Sequence, residues 1–236
     1  MDAPPTPDDA PRGRSPLARF VLKVILWLPV TFAAWYLVSP ALMWVVTLVA
    51  GVAVMPFGDL VRTVEQTGST LQFVTSLKPG QAAGAGLVSV SVDGLLYSFG
   101  MPMFAALTLA AREEGRWKVL AIGIAALVPF VTFGIVADFL KNVAITSGPL
   151  VASQAGFSGA QRELIAFAYQ FGTLIMPTVV PAVVWVVTHR AFLERMRGGT
   201  RTPRSHAWKR SVHGRASPRS SQSATTARND GSVAVK

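Results

Sequence analysis

Long charge-free runs alternate along the chain with short polar stretches. From Leu164 to Thr188, between Glu163 and His189, no residue carries a charge. A bilayer-spanning helix needs about 20 apolar residues, so this run predicts a span. Val119 to Ala137 predicts another, with Pro129 near its middle. Gly94 to Ala111 is also charge-free and contains Gly100 and Pro102. Such breakers are tolerated in a membrane where neighbours or water re-satisfy the backbone.

The first run, Val24 to Gly58, is the longest without charge. As one helix it would extend about 52 Å, against a hydrocarbon core of about 30 Å. Pro29 and the Ser39-Pro40 pair are the candidate breaks, because proline removes an intrahelical hydrogen bond and disfavours helix at the residue before it. Two readings follow. A span from Leu17 to about Val38 continues as a kinked or interfacial segment, Ala41 to Val54, or both pieces span as a hairpin. Trp27, Trp35, Tyr36 and Trp44 suit interfacial depths.

Between the first two runs the period changes. Leu71, Phe73 and Thr75 alternate with Gln72 and Val74, and Val88, Val90 and Val92 alternate with Ser89 and Ser91. A Gly-rich linker, residues 79–86, separates them. The pattern predicts two strands of a small β-hairpin. Asp59, Arg62 and Glu65 at i, i+3 and i+6 predict a short polar helical turn before it. Asp138 to Phe157 reads as a loop segment. Ser158-Gly159-Ala160-Gln161 has the spacing of a capping box and predicts the start of the last helix.

Composition supports a membrane chain. Of 236 residues 51% are hydrophobic and only 14% charged, against about 25% charged in soluble domains. The formal net charge of +10 is concentrated at the ends. Arg12, Arg14, Arg19 and Lys23 precede the first run, which is too long for a signal peptide and lacks a small-residue cleavage site, so an uncleaved anchor is expected. Arg112, Arg116 and Lys118 lie between the middle runs, and a basic stretch follows His189. The positive-inside rule puts all three on the cytoplasmic side and requires an even number of spans.

The expected fold is therefore an all-α membrane protein. It has a bundle of about four transmembrane helices (about 17–38, 94–111, 119–137 and 164–188) within a membrane domain 17–193. A small extracytoplasmic β-hairpin occupies region 59–93. Residues 1–16 are expected as a disordered N-terminal tail and 194–236 as a disordered basic C-terminal tail. Beside membrane spans, the basic tail favours anionic lipid headgroups over nucleic acid, since Trp208 is its one stacking group. Both termini would be cytoplasmic, in a bacterial inner membrane.

The absence of cysteine removes disulfides, thiolate catalysis and Cys-ligated metals. His189, His206 and His213 lack metal-ligand spacing, and no Gly-rich loop has phosphate-binding spacing. No cofactor is expected. Nothing in the sequence brings Asp93 and Asp138 together as an aspartyl pair. The candidate contacts for a partner or substrate are polar groups near the outer ends of the last two spans: Asp138, Lys141, Arg162, Glu163, Tyr169 and Gln170. Asp138 and Lys141 fall three apart on one face. Arg162 and Tyr169 share a face, and Glu163, Gln170 and Pro177 the adjacent one. Ionisable groups at membrane depth face the bundle interior. They form either a small polar pocket that grips a substrate peptide or partner, or interfacial pairs that close the bundle.

Several ordered motifs carry a resemblance. They are Trp27-Leu28-Pro29 with Trp35-Tyr36 and Pro40, the Val64-Glu65 to Gly68 turn, and Tyr97-Ser98-Phe99-Gly100-Met101-Pro102. Pro129-Phe130 through Gly134 to Asp138-Phe139-Leu140-Lys141 follows, then Ser147-Gly148-Pro149, and Arg162-Glu163 through Tyr169-Gln170 to Pro177. From about Arg19 to Leu193 the chain resembles the exosortase H-associated membrane proteins; the basic tail lies outside that pattern. The resemblance implies company with an exosortase, a multispanning transpeptidase-like enzyme. Such an enzyme recognises proteins with a C-terminal sorting signal of a short motif, a membrane helix and a basic cluster. This chain is not that enzyme, which relies on a cysteine nucleophile. The expected function is a non-enzymatic accessory protein docking on the exosortase or on the substrate's sorting helix. The alternatives are a small transporter or channel component with a polar path between the last two spans, and a tether acting through the basic tail.

Overall fold

The computed structural model describes residues 16–78 and 86–198. The expected tails 1–16 and 194–236 lie largely outside these residues. Pro16 and residues 194–198 are among the described residues and are helical. Three helical stretches are long and apolar enough to cross a membrane, residues 17–53, 116–146 and 159–188, and a shorter apolar one covers 95–111. A three-stranded antiparallel sheet completes the fold.

Helix α1 runs from Pro16 to Ala53 through both internal prolines. The reason it survives Pro40 is local. Proline has no N–H to give the carbonyl four residues back, which here belongs to Tyr36. The Ser39 hydroxyl supplies that carbonyl with a donor at 2.8 Å. Residues 41–53 therefore continue the helix, and no hairpin forms.

The sheet packs beside this continuation. One stripe of α1, Met43, Val46 and Ala50, is buried, as is Val54 just past its end. Facing it, β2 (Thr70–Thr75) buries Leu71, Phe73 and Thr75, while β3 (Ser89–Asp93) buries Val90 and Val92. These alternations are the period-2 signal of the sequence. The sheet has one more strand than the expected hairpin. The segment read as a polar helical turn splits into a 3-10 turn, Met55–Leu60, carrying Asp59, and strand β1 (Val61–Thr67), carrying Arg62 and Glu65. Strand order is β1-β2-β3 with a register irregularity between Val61 and Thr63.

Below the sheet, α2 (Leu95–Ser98) and α3 (Gly100–Ala111) follow one another, and α4 (Arg116–Lys141) returns to the sheet. The expected loop after Asp138 is largely helical. Helix α4 passes into a π-turn, Asn142–Thr146, and α5 occupies Pro149–Ala155. Gln154 of α5 exchanges two hydrogen bonds of 3.0 Å with the Lys78 backbone, tying it to the end of the sheet. Helix α6 (Gly159–Gln170) starts at Ser158, where both bonds of a capping box are present. A second π-turn, Phe171–Ile175, leads into α7 (Met176–Thr188), and α8 (Arg190–Gly198) closes the described chain.

At the end of the bundle away from the sheet, Phe20 of α1 stacks on Trp185 of α7 at 5.8 Å. Trp185 stacks in turn on His189 at 5.1 Å. Glu113, in the turn between α3 and α4, pairs with Arg195 of α8.

Candidate functional site

The sheet end of the bundle gathers the polar side chains. Asp138 and Lys141 lie three apart on the last turn of α4 and pair at 3.1 Å. Their side chains are only 15% and 23% exposed, respectively. The pair is held from two sides. Asn142, one turn on from Asp138, donates to its carboxylate at 3.0 Å and to its backbone carbonyl at 2.9 Å. The Lys141 ammonium sits over the Tyr169 ring, 4.3 Å from its centroid. That distance is within the range of a cation–π attraction, which strengthens as the pair is desolvated.

The π-turns shape this cluster. Each adds a residue to one turn of helix, a device common at functional sites. The second follows Tyr169 closely, and the Thr173 hydroxyl within it donates to the Tyr169 carbonyl at 2.8 Å. Beneath the cluster, α4 and this π-turn come into backbone contact. A Cβ on Gly172 would stand 3.0 Å from the Gly134 Cα, and one on Gly134 would enter the Tyr97 ring. Tyr97 of α2 fills the remaining corner and is 2% exposed. Its hydroxyl is buried and makes no hydrogen bond among the described residues.

Of the six residues singled out in the sequence, the structure joins three: Asp138, Lys141 and Tyr169. Arg162, Glu163 and Gln170 are exposed on α6. The predicted face of Glu163, Gln170 and Pro177 does not form, because the π-turn between Gln170 and Pro177 shifts the phase of the helix. Pro177 is buried while the other two are exposed. Tyr97, Asn142, Thr173 and the Gly134–Gly172 contact also belong to the cluster; the two glycines are small residues that permit close helix approach, Tyr97 stands in one of the ordered motifs, and Asn142 and Thr173 were not singled out. Asn142 was within reach of the sequence, being four residues from Asp138. Tyr97 comes from a different helix and gave no spacing signal.

Asp93 does not join Asp138. Its carboxylate accepts the Leu95 N–H at 2.9 Å, at the start of α2. Among the described residues no cluster of three or more His, Asp or Glu side chains is placed to hold a metal ion. The arrangement is an ion pair, an aromatic ring and hydroxyls packed together at one end of an apolar bundle.

The family model for exosortase H-associated membrane proteins matches residues 14–192 of this chain. No curated protein and no solved structure matches it.

Proposed function

We propose, from the premise that this chain belongs to the exosortase H-associated membrane protein family, that it is a non-enzymatic accessory protein of the exosortase H sorting system. It sits in a bacterial inner membrane with the sheet on the outer side and docks on the sorting enzyme or on the membrane helix of its substrate. The sheet contacts the part of the substrate outside the bilayer.

Charge supports this orientation. At the end away from the sheet, the described residues Arg19, Lys23, Arg112, Arg116, Lys118, Arg190 and Arg195 outnumber Glu113, Glu114 and Glu194. At the sheet end, acidic and basic groups nearly balance. The positive-inside rule makes the first end cytoplasmic. Length supports the depth. About twenty residues at 1.5 Å each cross a hydrocarbon core of about 30 Å. Counted from Lys23, Lys118 and His189, that length reaches Met43 on α1, Asp138 on α4 and Tyr169 on α6. The polar cluster then lies at the outer boundary, with the sheet and the end of α1 above it.

The observation that carries the reading is the locked Asp138–Lys141–Tyr169 cluster at that boundary. It is built for recognition, with its charge already paired and its aromatic face fixed. A transport path has less support, because the Gly134–Gly172 contact and the Tyr97 ring fill the space beneath the cluster.

The test is photo-crosslinking in living cells from a benzoyl-phenylalanine at Tyr169, with adducts identified by mass spectrometry. Exosortase H or one of its substrates among the adducts supports the accessory role. Self-adducts alone count against it and turn attention to flux in liposomes, where loss with Asp138→Asn would favour transport.

A further inference from the structure

A groove of about 430 Å³ opens on the bundle between α1, α3 and α4. Val30 and Ala34 of α1, Ala105 of α3 and Leu120 of α4 line it, and Trp27 and Trp117 stand at its end away from the sheet. No charged side chain lines it. The Thr31 hydroxyl is engaged within α1, at 3.1 Å from the Trp27 carbonyl and 3.0 Å from that of Leu28. From Trp27 to Val38 the groove follows α1 for about 16 Å, at 1.5 Å per residue. One leaflet, half of a hydrocarbon core of about 30 Å, has nearly the same depth.

Cations stand just beyond the two indoles. On α1, Lys23 precedes Trp27 by four residues and Val30 by seven, so it lies on the same stripe of the helix. On α4, Arg116 precedes Leu120 by four, and its guanidinium carbon lies 5.8 Å from the Trp117 ring centroid. Neither has a carboxylate within ion-pair reach among the described residues. Glu113 of the neighbouring turn is taken by Arg195, and Glu114 pairs with neither cation. Arg116 and Lys118 also occupy the first turn of α4, which holds no acidic residue. There the positive end of the helix dipole opposes them, and the first backbone N–H groups have no intrahelical partner. An anion at this place would relieve the dipole and the side-chain charges together.

That charge decides the occupant. A partner helix or a second copy of this chain follows the same positive-inside rule, and would bring its own cations against Lys23 and Arg116. A zwitterionic lipid offers them no net charge. An anionic phospholipid offers the opposite charge at the height of the cations and an apolar chain of one leaflet's length beside the groove. Trp27 and Trp117 then lie at headgroup level, where indoles are favoured. Basic pockets between membrane helices on the cytoplasmic side are suited to such headgroups.

We infer that this groove binds one anionic phospholipid of the cytoplasmic leaflet, with an acyl chain between α1, α3 and α4 and its phosphate held by Lys23 and Arg116. The inference uses the orientation proposed above and does not depend on the accessory role.

The test titrates the full chain, purified in detergent, with dioleoylphosphatidylglycerol or dioleoylphosphatidylcholine and counts bound lipid by native mass spectrometry. Gel filtration checks the fold of each variant. One phosphatidylglycerol should bind in preference to phosphatidylcholine. Lys23→Gln with Arg116→Gln should weaken it roughly thirtyfold, the loss that two cations near a membrane surface imply. Lys23→Arg with Arg116→Lys should retain it. Ala34→Phe, which puts a ring into the groove from an exposed position of α1, should weaken it without touching a charge. Lys209→Gln with Arg210→Gln, in the basic stretch near the C-terminus, should leave it unchanged. Equal binding of the two lipids, no loss in the neutral variant or in Ala34→Phe, or an equal loss in the Lys209 and Arg210 variant overturns the inference. Intact phosphatidylglycerol binding together with no exosortase adduct at Tyr169 would count against the accessory role alone and leave this site standing.

Discussion

Phe73 of the sheet stacks on Phe139 of α4, with ring centroids 4.4 Å apart and planes 21° from parallel. Both rings are fully buried. The contact fastens the sheet to the helix that carries Asp138, one residue before Phe139, and Lys141, two residues after it. Phe139→Ala is expected to lose about 3–5 kcal/mol of stability, the usual range for removing a buried ring. Phe73→Ala should cost a similar amount, and the double variant less than the sum, because the stacking term of about 0.5–1.5 kcal/mol is removed only once. Denaturation in detergent measures both. If the sheet is a separate unit, Phe139→Ala leaves its protease resistance intact, and the two layers are not coupled through these rings.

Ser39 holds two elements at once. Its hydroxyl satisfies the Tyr36 carbonyl that Pro40 leaves without a donor, and it also bonds the Ser69 hydroxyl at 2.8 Å in the turn between β1 and β2. Ser39→Ala strands a carbonyl in the helix and unties the turn, with an expected cost of about 1–3 kcal/mol. Ser69→Ala removes only the second bond and should cost less. A thermal shift for Ser69→Ala equal to that for Ser39→Ala would show that the carbonyl contributes nothing.

Those two residues also show what the sequence could and could not convey. The charge-free runs mark the apolar helices because lipid admits nothing else, and the alternation at Leu71–Thr75 and Val88–Val92 marks two strands. The continuity of α1 at Pro40 depends on a hydroxyl rotamer and on a turn far along the chain at Ser69, and neither has a sequence pattern. Strand β1 was hidden for a different reason. Its charges repeat every third residue, which imitates a helix, and the irregularity between Val61 and Thr63 breaks strict alternation. In the site, Asp138 and Lys141 were legible from their spacing. The π-turn after Gln170 was not, and it is what separates Pro177 from Glu163 and Gln170.

Glycines divide sharply by what surrounds them. A Cβ on Gly100 would run into the Pro177 backbone carbonyl and the Pro181 ring of α7. Backbone cannot step aside, so Gly100→Ala is expected to cost at least about 1–3 kcal/mol as α3 and α7 are forced apart. Gly51 lies within α1 with no atom near its Cβ position. Gly51→Ala should therefore be neutral or stabilising by up to about 1 kcal/mol, because alanine restricts the unfolded chain and favours helix. Melting temperatures in one detergent compare the two directly. Equal losses would mean that α3 and α7 do not approach this closely.

His189 sets a pH dependence at the end of the bundle away from the sheet. It lies just beyond the last apolar helix, 1% exposed, stacked on Trp185. Its Nδ1 lies 3.1 Å from the Trp185 carbonyl and 3.0 Å from the Thr188 hydroxyl. Burial lowers its pKa below the ordinary histidine value, against smaller opposing effects of the Trp185 carbonyl and Glu113. The folded state thus binds fewer protons than the unfolded chain. Its contribution to stability is present above the unfolded value of about 6.5 and is lost as pH falls through the window beneath it. Unfolding temperature should decline as pH drops from neutral toward 5, and the decline should be shallower in His189→Gln, which keeps a polar group but cannot titrate. Carboxylates elsewhere add their own slope at lower pH, so the comparison is made between pH 5.5 and 7.5. An identical slope for His189→Gln and the parent chain would show that the imidazole titrates normally and that the Phe20–Trp185–His189 stack does not exclude water.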